Sequence, residues 1–419
     1  MELLARPREW GRQVKIDPDA AGLDAGRLQR IDDHLEARYI TPGKIAGAQV
    51  AVVRHGTVGY FRSFGMMDVE RARPVEEDTI WRLYSMTKPI TGVALLSLYE
   101  KGLFQLSDPV HRFIPSWRDM KVEERAADGS TRLVDPVRPV SVKDVMMHMG
   151  GLGFALQVGP AESGGIAGPS IRTQRGMTLE TLADRVAEAP LTHQPGTRWV
   201  YGLQTDICAR LVEVLSGQRF DDYLRQSVFG PLGMVDTGFS VAPESAERLS
   251  GLYRRGNDKR VALMEDPGQS PYLRERSFLS GGGGLVSTTP DYIRFVQMLL
   301  NGGELDGHRV LGRKTIELMS TNHLPGGREL KDFAVPGGYG EVGFDGNGFG
   351  LTVSVGLGPA RTATIGSAGE YMWGGAASTL FWIDPVEDLA VVFMTQLMPS
   401  GAFNFRSQLK AIVYPAMVD

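Results

Sequence analysis

Two pairs of short apolar runs at opposite ends of the chain constrain the fold more than any other feature of the sequence. Ala48 to Arg54 and Val58 to Phe64 flank His55-Gly56-Thr57, and Thr379 to Ile383 and Leu389 to Thr395 flank Asp384-Pro385-Val386-Glu387-Asp388. Apolar runs of strand length around polar turn residues are the pattern of β-hairpins. With helical patterns filling the space between them, the two hairpins predict one antiparallel sheet assembled from both chain ends and flanked by helices. The fold class expected is therefore α/β with an inserted, mainly helical domain. Residues 1–100 and 285–419 form the discontinuous α/β part of this reading and residues 101–284 the helical part. A chain of 419 residues with 42% hydrophobic content has enough apolar surface for such a two-part core.

Smaller features fill in the outline. The polar, alternating stretch between Met120 and Pro139, turning at Asp128-Gly129, predicts a small exposed hairpin. Gln157 to Gly176 and Pro325 to Gly348 read as mobile loops. Tyr371-Met372-Trp373-Gly374-Gly375-Ala376 reads as the opening of the penultimate strand, and Phe403 to Val418 as an amphipathic surface helix with a solvated polar face.

The chemistry centres on Ser85-Met86-Thr87-Lys88. Residues three apart share a helix face, so this spacing lets a lysine amine meet a serine hydroxyl and take its proton. Ile90, Val93, Ala94, Leu95, Leu96, Leu98 and Tyr99 then run almost without a polar break to Lys101-Gly102, which predicts a buried helix. Pro89 falls past the favoured first helical position, so the helix is expected to begin with an irregular or 3₁₀ turn. The same spacing recurs at Ser407-Gln408-Leu409-Lys410, on the stretch read as a surface helix, and there it carries no functional reading.

Several function classes are excluded. A formal net charge of −4 with interspersed signs offers no basic stripe for nucleic acid and no polybasic membrane patch. Met1 to Lys15 carries charges and a proline where a signal peptide needs an apolar core, and no window approaches a membrane span, so a cytoplasmic protein is expected. The single cysteine, Cys208, lies among Ile207, Leu211 and Val214 and reads as a buried helix residue. No G-x-S-x-G elbow occurs, and the seven histidines show neither H-x-H nor H-E-x-x-H spacing, so no metal site is expected. Gly281 to Gly284 lacks the Lys-Ser/Thr of a phosphate loop and reads as a tight turn or strand entry. His148, in Met147-His148-Met149-Gly150-Gly151-Leu152, reads as a structural histidine.

A Ser/Lys pair needs a second proton carrier and an oxyanion hole. Tyr201, just ahead of a helical stretch through Ile207, Leu211, Val214 and Leu215, is a candidate for the first, although alone it reads as a core aromatic capping a helix. Trp373-Gly374-Gly375 is a candidate for the second, because two glycines let a substrate carbonyl approach the backbone closely; alone it reads as a bulge.

Taken in order, these segments resemble the serine β-lactamase and penicillin-binding-protein superfamily, and within it the class C β-lactamase-like family VIII carboxylesterases. The resemblance rests on Trp81 to Lys88, Met147 to Leu152, Pro195-Gly196-Thr197 before Tyr201, Gly282 to Thr288, and Trp373-Gly374-Gly375. It implies a β-lactamase/DD-peptidase-like fold with the nucleophilic serine at the start of a central helix. It further implies that Ser85 forms an acyl-enzyme, that Lys88, its pKa lowered by burial, shares a proton with Tyr201, and that the amides of Ser85 and Ala376 hold the oxyanion. Trp373, Gly374 and Gly375 would bind substrate, and no cofactor or metal is implied. The expected partner is a small-molecule ester.

Two departures bear on substrate. The Tyr-x-Asn of β-lactamases is here Tyr201-Gly202-Leu203, and their Lys-Thr-Gly is Trp373-Gly374-Gly375. Losing an amide and a cation argues for a neutral ester over an anionic β-lactam. The alternatives within this fold are a weak β-lactamase, a D-amino-acid peptidase or amidase, and an acyltransferase. A catalytically silent ligand sensor or scaffold is the alternative outside enzymes, and the joint presence of Ser85, Lys88 and Tyr201 counts against it.

Overall fold

The computed structural model describes residues 14–125, 128–153, 176–336 and 338–419. An eight-stranded antiparallel sheet is built from both ends of the chain. Its strands, numbered in chain order, are β1 (Gly47–Arg54), β2 (Thr57–Asp68), β3 (Arg73–Pro74), β4 (Asn347–Phe349), β5 (Ser354–Gly356), β6 (Tyr371–Gly374), β7 (Leu380–Asp384) and β8 (Leu389–Thr395). They lie in the order β4-β5-β6-β7-β8-β1-β2-β3. The seam between the two chain ends is the β1–β8 pair, in register from Ala48 opposite Thr395 to Arg54 opposite Leu389. Every residue of β1 and β8 is buried, which is why both read as continuous apolar runs instead of alternating ones. β2 runs four residues beyond the predicted Phe64 because it goes on to pair with β3, and its exposed Arg62, Ser63 and Met66 interrupt the apolar signal.

Five helices frame the site: α1 (Ala25–Leu35), α2 (Thr87–Glu100), α3 (Gln204–Ser216), α4 (Thr289–Leu300) and α5 (Phe405–Val413). α4 packs on β8 and β1, α1 on α5 and β2, and α2 on α3. Helix α2 is buried from Thr87 through Leu98, as its predominantly apolar sequence requires. Cys208 is fully buried on α3, and burial pushes its thiol far above the ordinary range. The small hairpin forms from Val122–Arg125 and Thr131–Val134. No helix among the described residues is long and apolar enough to cross a membrane.

Three expectations need correction. Tyr371–Gly374 is a strand of its own with two more sheet strands after it, so it does not open the penultimate one. The chain reverses directly after Gly374: the Gly375 amide donates to the Thr379 carbonyl at 2.8 Å and the Ser378 amide to the Gly375 carbonyl at 2.8 Å. The segment Pro325 to Gly348 is tied down at several of its described residues. It contains turns at Pro325–Gly327 and Leu330–Asp332, Glu329 accepts the Gly346 amide at 2.9 Å and pairs with Arg361 at 2.6 Å, and its end enters β4. The polar face of the C-terminal helix is only partly solvated, since Lys410 is 1% exposed and pairs with the buried Glu370. The predicted loop Gln157 to Gly176 lies, apart from Gly176, outside the described residues.

The start of α4 holds a carboxyl group with a consequence for stability. Asp291, 5% exposed, accepts the Asp236 amide and the Thr237 hydroxyl, each at 2.8 Å, and burial pushes its pKa up to about 7. The folded state thus binds this proton more tightly than the unfolded chain. Its stabilising contribution is full below about pH 4 and is lost as pH rises towards 7. Asp291→Asn is expected to flatten the fall in stability over that window, a difference of up to ~4 kcal/mol, measured as denaturant midpoints at a series of pH values.

Candidate active site

The Ser85 turn is held between two parts of the sheet system. Ile80–Arg82 pairs with Val286–Thr288, and the next amide, Leu83, donates to the Leu285 carbonyl at 2.9 Å. Tyr84 then takes a left-handed conformation at φ 46°, which for a bulky residue is strained. A 3₁₀ turn over Tyr84–Met86 leads into α2 at Thr87, the irregular start that Pro89 predicted. A proline is tolerated there because amides of the first helical turn have no partner within the helix.

Lys88 is 3% and Ser85 8% exposed. The Lys88 Nζ donates to Ser85 Oγ at 3.1 Å and to the Gly282 carbonyl at 2.6 Å, and lies 4.6 Å from the centre of the Tyr201 ring. A buried amine needs such partners, and here they aim it at the hydroxyl. The Gly282 carbonyl is itself positioned by Asp206, fully buried on α3. The Asp206 Oδ1 accepts the Gly282 amide at 2.9 Å and the Ser280 hydroxyl at 2.6 Å. A Cβ at Gly281 would lie 2.6 Å from that of Ala209, so the glycine run is a close-packed turn against α3.

Tyr201 arrives just ahead of α3 within an aromatic wall. Trp199 stacks on it at 5.8 Å, and the rings of His148, Trp373 and Tyr339 lie at 4.9, 5.4 and 5.9 Å. His148 is a structural residue, fully buried, with Nδ1 accepting the Gly202 amide at 3.4 Å and its carbonyl accepting the Val200 amide at 2.9 Å. It therefore fixes both the backbone and the ring of the tyrosine segment.

Trp373 is fully buried on β6, and Gly374 and Gly375 follow at the strand's end. A Cβ at Gly375 would collide with the Leu83 carbonyl oxygen and the Thr379 hydroxyl and lie 3.3 Å from Tyr84 Cβ. The strand end thus presses directly on the residues ahead of Ser85, and the half-buried Ala376 follows next in the chain. Gly375→Ala is expected to push β6 away from the Ser85 turn and lower ester turnover by roughly 10²-fold, the scale of one lost oxyanion donor. Circular dichroism should remain native.

The structure therefore brings Ser85, Lys88, Tyr201, Trp373, Gly374 and Gly375 to one place, with Ala376 next in the chain. It leaves the second Ser-x-x-Lys apart, with Lys410 committed to Glu370. Sequence reasoning missed Asp206, Tyr339, Glu341 and Arg406. Asp206 carried a usable signal, an acid in the apolar helix five residues after Tyr201, whereas Tyr339 and Glu341 lay in a segment read as a loop. Among the described residues no cluster of His, Cys, Asp and Glu could hold a metal ion. A serine hydroxyl in contact with a buried amine beside a phenol is equipped for nucleophilic acyl chemistry.

The chain belongs to the beta-lactamase family, whose profile matches residues 32–414. It is similar to esterase EstB of Burkholderia gladioli, with 30% identity over 405 residues covering 93% of this chain and 95% of that protein. Protein Rv1367c of Mycobacterium tuberculosis is 32% identical over 360 residues, 85% of this chain and 87% of that one. Among solved structures, EstCE1, described as a hydrolase with promiscuous acyltransferase activity, shares the fold with a TM-score of 0.75 at 24% identity, covering 96% of this chain and all of that one. These likenesses agree with the resemblance to family VIII carboxylesterases and place the chain among serine hydrolases and acyltransferases of the β-lactamase fold.

Proposed function

We propose that the protein is a serine carboxylesterase acting on small, neutral, short-acyl esters. The observation that carries this reading is the buried Lys88 amine donating to Ser85 Oγ at 3.1 Å beside the Tyr201 ring. Ser85 Oγ attacks the ester carbonyl while its proton passes to the Lys88/Tyr201 pair. The amides of Ser85 and Ala376 stabilise the oxyanion, each contributing about 3 kcal/mol to lowering the barrier. Tyr201 returns the proton to the departing alcohol and then helps deprotonate the water that attacks the acyl-enzyme.

The preference for neutral esters rests on what surrounds the carbonyl site. Leu203 is fully buried and Trp373 presents an apolar wall. The nearby cation, Arg406, donates to the Glu341 carbonyl at 3.1 Å and the Trp373 carbonyl at 2.9 Å, and the Glu341 carboxyl balances its charge. Both terminal nitrogens of the Arg406 guanidinium are thus taken up by backbone carbonyls. Esterase EstB supports the hydrolytic reading.

The aromatic wall of Trp199, Tyr201, Tyr339 and Trp373 favours a second reading, acyl transfer, because an apolar surface at the proton carrier lets an alcohol compete with water. A relative 27% identical over 408 residues is named ML-236A carboxylate methylbutanoyltransferase mlcH. Hydrolysis of p-nitrophenyl acetate, butyrate and octanoate is to be compared with nitrocefin at neutral pH, with and without an added alcohol. Ester turnover far faster than nitrocefin is expected. Rapid nitrocefin turnover would overturn the neutral-ester preference, inactivity on every substrate would favour the silent sensor, and transesterified products would establish transfer.

A further inference from the structure

A carboxyl group that the chemistry above leaves unused stands beside the site. Glu341 accepts the Tyr339 hydroxyl at 2.7 Å, and that hydroxyl also meets Ser400. The Tyr339 ring is tilted against Tyr201 at 5.9 Å, and the same Tyr201 ring lies 4.6 Å from the Lys88 Nζ. The Glu341 backbone is pinned by Arg406 of α5, whose guanidinium also holds the Trp373 carbonyl and would lie 3.2 Å from a Cβ at Gly374. Glu341 is thereby fixed to the strand end, to the Tyr201 wall and to the C-terminal helix at once.

The charges around it oppose one another. Burial raises the Glu341 carboxyl, while hydrogen bonds from Tyr339 and Ser400 and the positive charges of Lys88 and Arg406 pull it back. Burial in turn holds the Arg406 guanidinium down at about 10, against the favourable fields of Glu341 and Glu370. Behind the Gly282 carbonyl, Asp206 of α3 is a further carboxylate on the Lys88 side. A negative charge facing an amine favours its ammonium form, so it delays the point at which that amine can accept a proton.

We propose that Glu341 is a positioning residue of this site: it anchors Tyr339 across Tyr201 and places negative charge opposite Lys88, setting the pH range in which Lys88 accepts the Ser85 proton. The inference rests on the acyl-enzyme reading given under Proposed function. In the affected step the Ser85 Oγ–H bond breaks and its proton passes to Lys88 Nζ, Oγ bonds to the acyl carbon, and the carbonyl π pair moves onto its oxygen to give the tetrahedral oxyanion.

The test is the pH dependence of Ser85 inactivation by a fluorophosphonate, with ester kcat/KM in parallel, for the wild type and Glu341→Gln. The isosteric amide keeps the hydrogen bond from Tyr339 and removes the charge. The acid limb of both profiles is expected to move to lower pH by roughly one unit. Coincident profiles for the two proteins, even with a reduced plateau, would overturn the inference. Failure of the wild-type Ser85 to react at any pH would instead sink the acyl-enzyme reading. If Glu341→Gln does not fold, Arg406→Gln serves in its place: loss of the counter-charge should move the same limb to higher pH, and an unmoved limb overturns the inference.

Discussion

Replacing Ser85 by Ala is expected to lower ester turnover by roughly 10⁴- to 10⁶-fold while leaving the thermal midpoint within a few degrees. The loss is large because Ser85 Oγ is the hydroxyl to which the buried Lys88 donates, at 3.1 Å. The effect on folding is small because Lys88 keeps its bond to the Gly282 carbonyl at 2.6 Å. Lys88→Met should fall to nearly the same floor, and the double variant should be no slower than either single one, since nucleophile and base act as a unit. Initial rates on p-nitrophenyl butyrate, with calorimetry on the same samples, check all three. Ester hydrolysis surviving in Ser85→Ala would remove the proposed nucleophile.

Tyr201→Phe should cost roughly 10²- to 10⁴-fold, the range for loss of one positioned proton carrier. Phenylalanine preserves the contacts with Trp199, His148, Trp373 and Tyr339 that hold this ring, so the fold should be retained. The informative readout is the leaving group. An alkyl alkoxide needs a proton as it departs, whereas p-nitrophenolate is stable without one, so the loss should be several-fold larger for an alkyl ester. Equal losses on both would show that Tyr201 does not protonate the leaving alcohol.

Much of the site is legible in the sequence because its parts are local. The Ser85/Lys88 contact needs only one helical turn, and the irregular start of α2 is legible because Pro89 falls past the favoured first helical position. The β1–β8 seam is legible because strands buried on both faces leave continuous apolar runs at both chain ends. By contrast, β6 does not stand out as a separate strand, because the turn at Gly375 to Ser378 hides a reversal inside an apolar stretch. Lys410 reads as part of a solvated face because helical periodicity records which side a residue occupies but not which ion, here Glu370, waits on the neighbouring element.

The sequence by itself determined the family and the pairing of Ser85 with the Lys88 amine, since these depend on residue type and short spacing. Only the tertiary structure decided how Tyr201, Gly375 and Glu341 are brought to that pair. Tyr201 meets Lys88 across about a hundred residues of chain and Gly375 meets Leu83 across about three hundred, and a contact of that range leaves no periodic trace in sequence. Its energy is instead set by burial: the Lys88 amine and the Asp206 carboxylate are stable out of water only when folding brings their distant partners into place.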